Sequence, residues 1–268
     1  MKIREYRSPG YQNFDLGGTG FDKVWNAALY NELYPDYDSF YAEILNFLRS
    51  KNIDRTSRIL DSCCGSGFLT KDLYLDGFNI DFADKHPEFA QGFLSEINQK
   101  LNTDVRVIES VWSEYPENQM LAENTYDFIF NRGNSFIYAS GDIKKAFKPD
   151  SVAARMRFKA ALEGLYYVLK PGGVLLLDKY KDDEVPFKCH VGFDTNTKKD
   201  IIWYCNRKPA QHFREASIGL QDDPNVYMHY CDDLYDELLF ELATMVGFTI
   251  EKIDLKYEKN FAVYILTK

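Results

Sequence analysis

The chain has 268 residues, enough for one large domain or a domain with an insertion, and its 45% hydrophobic and 27% charged residues are ordinary for a soluble globular protein. Lys and Arg number 32 against 41 Asp and Glu, a net charge of −9 without a long basic run, which argues against a nucleic-acid partner. No run approaches the ~18 apolar residues of a membrane span, the first ten residues lack a signal-peptide core, and five cysteines, two of them adjacent, do not look like a disulfide framework; the expectation is a cytoplasmic protein with no membrane partner.

Residues 1–40 are rich in Tyr, Asp and Gly and read as an N-terminal arm or lid, with a flexible stretch and a short helix around Asp22–Leu33. From there the chain alternates. Strands are expected at Arg58–Cys63, Asn79–Ala83, Val105–Glu109, Asp127–Asn131 and Val174–Asp178. Helical spacing of Ala153, Met156, Ala160, Leu162, Leu165 and Leu169 predicts a helix over 152–169, stopped by Lys170-Pro171-Gly172-Gly173. A second helix, Leu234–Met245, ends at Gly247, and two strands, Phe248–Leu255 and Phe261–Thr267, close the chain as a hairpin. Residues 182–231 break the alternation and read as a β-rich insertion capping a ligand pocket. The predicted fold class is α/β: a Rossmann-like parallel sheet built from 41–181 and 232–268, with an inserted cap and an N-terminal arm.

Residues 58–68, Arg-Ile-Leu-Asp-Ser-Cys-Cys-Gly-Ser-Gly-Phe, run from an apolar strand ending in Asp61 into a turn with Gly65 and Gly67, then into a helix-like segment. Strand, glycine turn and helix form the opening unit of a nucleotide-binding domain. The third glycine of the dinucleotide fingerprint is replaced by Thr70, so an adenosyl ligand without a pyrophosphate fits better than NAD. Asp84, followed by Lys85, lies 19 residues after Gly65, near the spacing at which a carboxylate holds the ribose hydroxyls. Taken alone, Asp84 could equally cap the helix that Pro87 begins. Together the two features resemble the S-adenosylmethionine (AdoMet) site of class I methyltransferases.

Ligands of open α/β sheets sit beyond the carboxyl ends of the strands. The segment Asn131-Arg132-Gly133-Asn134-Ser135-Phe136-Ile137-Tyr138 therefore lies where a methyl acceptor would meet AdoMet, with Asn134 offering both a donor and an acceptor. This segment is similar to the Gly-Asn-Ser stretch of glycine N-methyltransferases and of the glycine/sarcosine and sarcosine/dimethylglycine methyltransferases. The likeness extends to Val24-Trp25, the loop at 61–67, Trp112, and Leu169 to Gly173.

That resemblance implies AdoMet as cofactor and N-methylation of a small amine or amino acid. It implies that Asp61, Cys63, Gly65, Gly67, Asp84, Lys85, Val111, Trp112, Asn131 and Arg132 bind the cofactor, with Trp112 against adenine. Lys23, Trp25 and Tyr30 of the arm would close the site. Tyr30, Asn134 and Tyr138 would serve the acceptor. The chain departs from the family where an arginine grips the substrate carboxylate: Tyr180 stands there. Lys179, Lys181, Arg207 and Arg214 are the candidate substitutes for it, and Tyr180 and Tyr230 are further candidate substrate-binding residues.

The cysteines and histidines of the insertion match no compact zinc spacing, so no metal is expected. Alternatives to the leading reading are a natural-product N- or O-methyltransferase and a protein that binds AdoMet without transferring a methyl group. The oligomeric state is open, a homo-oligomer included.

Overall fold

Two sheets organise the chain in the computed structural model, which describes residues 3–15, 33–140, 151–181, 186–208, 213–222 and 227–268. In chain order the elements are β1 (Arg4–Phe14), α1 (Tyr37–Ser50), β2 (Arg58–Asp61), α2 (Thr70–Leu75), β3 (Asn79–Asp84), α3 (Gln91–Leu101), β4 (Val107–Glu109) and β5 (Tyr126–Asn131). After these come α4 (Ser151–Val168), β6 (Leu169–Tyr180), β7 (Phe187–Asp194), β8 (Lys199–Lys208), β9 (Phe213–Leu220), β10 (Tyr227–Asp232), α5 (Asp236–Val246), β11 (Thr249–Ile253) and β12 (Phe261–Thr267).

The larger sheet has the order β11-β12-β6-β5-β2-β3-β4. The run from β6 to β4 is parallel, and β12 is antiparallel to both its neighbours. Parallel strands are buried on both faces. Here Ile59, Phe128, Phe130 and Leu176 join one core, and Leu60, Ile129, Leu175 and Leu177 join the other. The alternation follows from the two-residue period of a strand. On the first face α1 buries Phe40, Ile44 and Leu48 at helical spacing, and Asp36 caps its start by accepting the Ser39 N–H. On the second face lie α4 and α5, with α5 closed by Gly247 in the left-handed conformation.

The smaller sheet has the order β1-β7-β8-β9-β10 and draws four of its strands from residues 187–232. Its edge strand comes from the N-terminus: β1 runs parallel to β7, with its register broken between Arg7 and Gln12, around Pro9 and Gly10. Proline cannot donate to a ladder, so a bulged edge is where it fits. The first part of the expected arm is thus an ordered strand, while the helix expected at Asp22–Leu33 falls almost wholly outside the described residues. The predicted turn at 170–173 is also different. The helix ends at Val168 and the strand begins at once, with a register shift opposite Tyr126–Phe128 and Gly172 at φ +77° absorbing the irregularity.

Candidate active site

Along the carboxyl ends of the parallel strands lies a cavity of about 480 Å3. Its wall combines the turn after β2 (61–66), the residues after β3 (84–86), those after β4 (110–113), those after β5 (132–139), Tyr180 of β6, and Trp203, Ser217 and Ile218 of the smaller sheet. The insertion therefore closes the open end of the larger sheet.

The two predicted glycines act differently. Gly65 has φ +46°, and a Cβ placed on it would meet only the Cys63 carbonyl, at 3.9 Å, so its bare Cα fronts open cavity. Gly67 has φ +75°, and its Cβ would lie 2.5 Å from the Phe93 ring. Gly67 is not on the cavity wall; it makes room for α3. The loop is held from within, since the Gly65 N–H donates to Asp84 Oδ2 at 2.8 Å and the Cys63 N–H to Asp61 Oδ1 at 3.3 Å. Cys63 is on the wall and Cys64 is buried, and burial pushes both thiols well above their ordinary range, so neither is a thiolate.

Asp84 accepts two backbone N–H groups, from Gly65 and, at 2.8 Å, from His86. A carboxylate has about four lone-pair sites, so two remain for a pair of hydroxyls. Burial raises the Asp84 carboxyl above its usual range, opposed by those two N–H groups. Asp61 is raised further, to about 7, by burial, against the hydrogen bonds from Thr70 Oγ1 and the Cys63 N–H. The bare Cα of Gly65 and the open valences of Asp84 fit the adenosyl and ribose parts of AdoMet.

Lys85, Val111 and Trp112 are also on the wall. The Trp112 indole donates to the Ser62 carbonyl at 2.7 Å and packs on Phe136, which fixes the plane of the ring. Asn131 is off the wall. It is fully buried and donates to Ser62 Oγ at 3.0 Å, tying β5 to the turn after β2. Arg132 is on the wall, but its guanidinium belongs to a buried cluster: Nε lies 2.9 Å from Asp178 and Nη2 2.5 Å from Glu258, with Tyr34 bonded to both Arg132 and Glu258. Tyr34, Asp178 and Glu258 carried no role in the sequence reading, because their meeting depends on contacts across 46 to 224 residues.

The acceptor-side residues separate clearly. Asn134 and Tyr138 are on the wall. Asn134 sits at φ +59°, its N–H donates to Asp178 Oδ1 at 2.6 Å, and its Oδ1 accepts the Tyr180 N–H at 3.0 Å. Tyr180 is on the wall, with the Arg214 guanidinium 4.2 Å from its ring centroid. Arg214 is 2% exposed, behind the wall, beside Asp233 at 3.5 Å.

Lys179 does not reach the cavity. Successive strand residues face opposite sides, so it points away from Tyr180, with its ammonium 2.7 Å from Asp236 and close to the Tyr264 ring. The period-two rule applied to 178–180 would have separated it from Tyr180. Arg207 and Tyr230 lie on β8 and β10, and their side chains fall outside the described set, as do Lys23, Trp25 and Tyr30 altogether. The cap residues Ser217 and Ile218 are wall residues that the sequence did not single out from their strands; Trp203, one of the aromatic residues of the insertion, is on the wall with them.

No family model matches the chain. It is 22% identical over 244 residues, 87% of each chain, to a putative methyltransferase of Geobacillus sp. strain WCH70. Among solved structures it resembles an S-adenosylmethionine-dependent methyltransferase from Clostridium acetobutylicum (TM-score 0.59, 16% identity, covering 87% of this chain and 92% of that one). It also resembles the sugar N-methyltransferase KedS8 of Streptoalloteichus sp. (0.57, 14%, 89% and 94%) and CalS10, an amino pentose methyltransferase of Micromonospora echinaspora (0.57, 13%, 85% and 90%). The mostly parallel seven-stranded sheet and its order match the Rossmann-like fold of these class I methyltransferase structures.

Proposed function

We propose that the protein methylates the nitrogen of a small-molecule amine, using AdoMet. The observation that carries this reading is Asn134, set into the cavity wall beside the glycine turn by Asp178 on one side and the Tyr180 backbone on the other. A polar amide held rigidly where the acceptor approaches is suited to orienting a substrate. The cavity, at about 480 Å3, is of the size that takes a small molecule. Named neighbours that act on amino sugars favour nitrogen over oxygen as the methyl acceptor.

AdoMet supplies a methyl group already activated by its sulfonium. The amine lone pair forms the new C–N bond as the S–C bond breaks with its electron pair going to sulfur, and the nitrogen then loses a proton to water. The chain itself needs no nucleophile. Asp84 and Gly65 would seat the adenosyl half. Asn134 and Tyr138 would orient the acceptor. Trp203 and Ile218 would exclude water. Alignment of this kind contributes on the order of 7–11 kcal/mol.

Incubation with AdoMet and a panel of small amines, read by mass spectrometry, tests the reading. A mass gain of one or more methyl groups on an amine nitrogen is the expected result. Binding of AdoMet without transfer to any amine in a broad panel overturns it.

A further inference from the structure

Resting on that reading, we infer that the acceptor carries an uncharged oxygen beside its amine, as an amino alcohol or amino sugar does, and not a carboxylate. Two independent observations point this way.

The first is the orientation of Asn134. The Tyr180 N–H can only donate, so the oxygen of the Asn134 amide must face it, as it does at 3.0 Å. With one lone pair of that oxygen taken and the amide plane fixed, the group of Asn134 with no hydrogen-bond partner among the described residues is its NH2, a donor only. A protonated amine has nothing to offer such a group, whereas a hydroxyl, ether or carbonyl oxygen does. Asn134 therefore holds an oxygen of the substrate.

The second is charge. A carboxylate could also accept from Asn134, but it would need a cation. Each cation on the acceptor end of the wall or directly behind it, among the described residues, already faces a carboxylate; Lys181, the next residue after β6, is off the wall and donates to the Lys259 carbonyl at 2.7 Å. Arg132 is held by Asp178 and Glu258, Arg214 lies 3.5 Å from Asp233, Arg157 lies 3.5 Å from Asp232, and Lys179 pairs with Asp236 on the far face of β6. Nη1 of Arg132 is buried with no hydrogen-bond partner among the described residues, but it sits where two carboxylates face one guanidinium. Asp236 is shared with Lys252 at 2.9 Å, so five cations meet five carboxylates and no positive charge is left over among the described residues. An anionic substrate would be desolvated there without a counter-cation among those residues, a cost of several kcal/mol. Lys85 and His86 are on the wall too, but they follow β3, which β2 and β5 separate from β6. Three strand spacings put them roughly 14 Å away, on the adenosyl side.

The test uses the full chain, AdoMet and matched probes: glycine against ethanolamine, serine against its diol 2-amino-1,3-propanediol, glucosamine, and propylamine as an amine without oxygen. The expected result is that kcat/KM for each hydroxylated amine exceeds that of its carboxylate counterpart by at least tenfold. In Asn134→Ala the advantage of ethanolamine over propylamine should shrink by at least fivefold, which a purely structural role of Asn134 would not produce. If amino acids are methylated as well as the amino alcohols, or better, the inference is overturned while amine methylation stands. If AdoMet binds and no amine is methylated, the functional reading falls and this inference with it.

Discussion

The backbone N–H of Tyr180 donates to the side-chain oxygen of Asn134 at 3.0 Å, joining the end of β6 to the loop after β5. The Asn134 N–H returns to Asp178, two residues earlier on the same strand. Asn134 thus adopts a left-handed backbone, uncommon for a residue with a side chain, because two hydrogen bonds to one strand hold it there.

Asn134→Ala removes one of those bonds together with the NH2 group in the cavity. Its kcat/KM should fall by about 1–3 kcal/mol of transition-state stabilisation, roughly 5- to 150-fold. Binding of AdoMet, whose proposed contacts follow β2, β3 and β4, should hold within about threefold. Titration calorimetry beside steady-state kinetics separates the two, and an equal loss in both would contradict a role at the acceptor.

Gly65 and Gly67 should respond in opposite ways to the same substitution. Gly67→Ala forces a methyl into the Phe93 ring and should destabilise the fold by more than the ~1–2 kcal/mol of left-handed strain alone. Gly65→Ala meets no close neighbour, so it should lose only that strain energy but weaken AdoMet binding, because its Cβ enters the cavity. Thermal melts and AdoMet titrations on both variants check the contrast. Equal losses of stability would show that Phe93 does not distinguish the two positions.

Asp61 predicts a pH dependence. Its carboxyl is raised from 3.8 to about 7 by burial. The folded protein therefore keeps a proton that the unfolded chain releases between those values. The stabilisation is complete below the unfolded value, declines as pH rises towards 7, and is absent above it. The slope contributed is at most about 1.4 kcal/mol per pH unit. Asp61→Asn, which still accepts from Thr70 or Cys63, should gain stability relative to the wild type as pH rises through this window. Denaturant titrations at several pH values would show parallel curves for both proteins if Asp61 were ionised throughout.

Glu258 is 6% exposed and serves Arg132, Tyr34 and the N–H groups of Asn260 and Phe261. Glu258→Ala leaves a buried guanidinium facing one carboxylate and two backbone donors unmet. The expected cost is about 3–5 kcal/mol in chemical denaturation. A loss under about 1 kcal/mol would mean that the cluster relaxes freely when one member is removed.

Much of the proposed cofactor side of the cavity was legible in the chain because it is local. Asp61, Gly65 and Asp84 lie within one strand–turn–helix–strand unit, where the spacing of residues sets the spacing of atoms. The order of helices and strands followed from hydrophobic periodicity, which the two cores of the larger sheet obey residue by residue.

What only the tertiary structure decided is where distant segments meet. Nothing local marks Arg4–Phe14 as a partner of β7, because an edge strand is chosen by the sheet it completes. Lys179 was a plausible substrate cation until the direction of β6 turned it towards Asp236. Asp178, Glu258 and Tyr34 are unremarkable polar residues in sequence, yet burial makes them one unit with Arg132, since a charge removed from water must find its partner wherever the fold brings one. The sequence determined the fold class and the cofactor loop through short-range periodicity and spacing, whereas the charge balance at the acceptor end was decided by long-range packing.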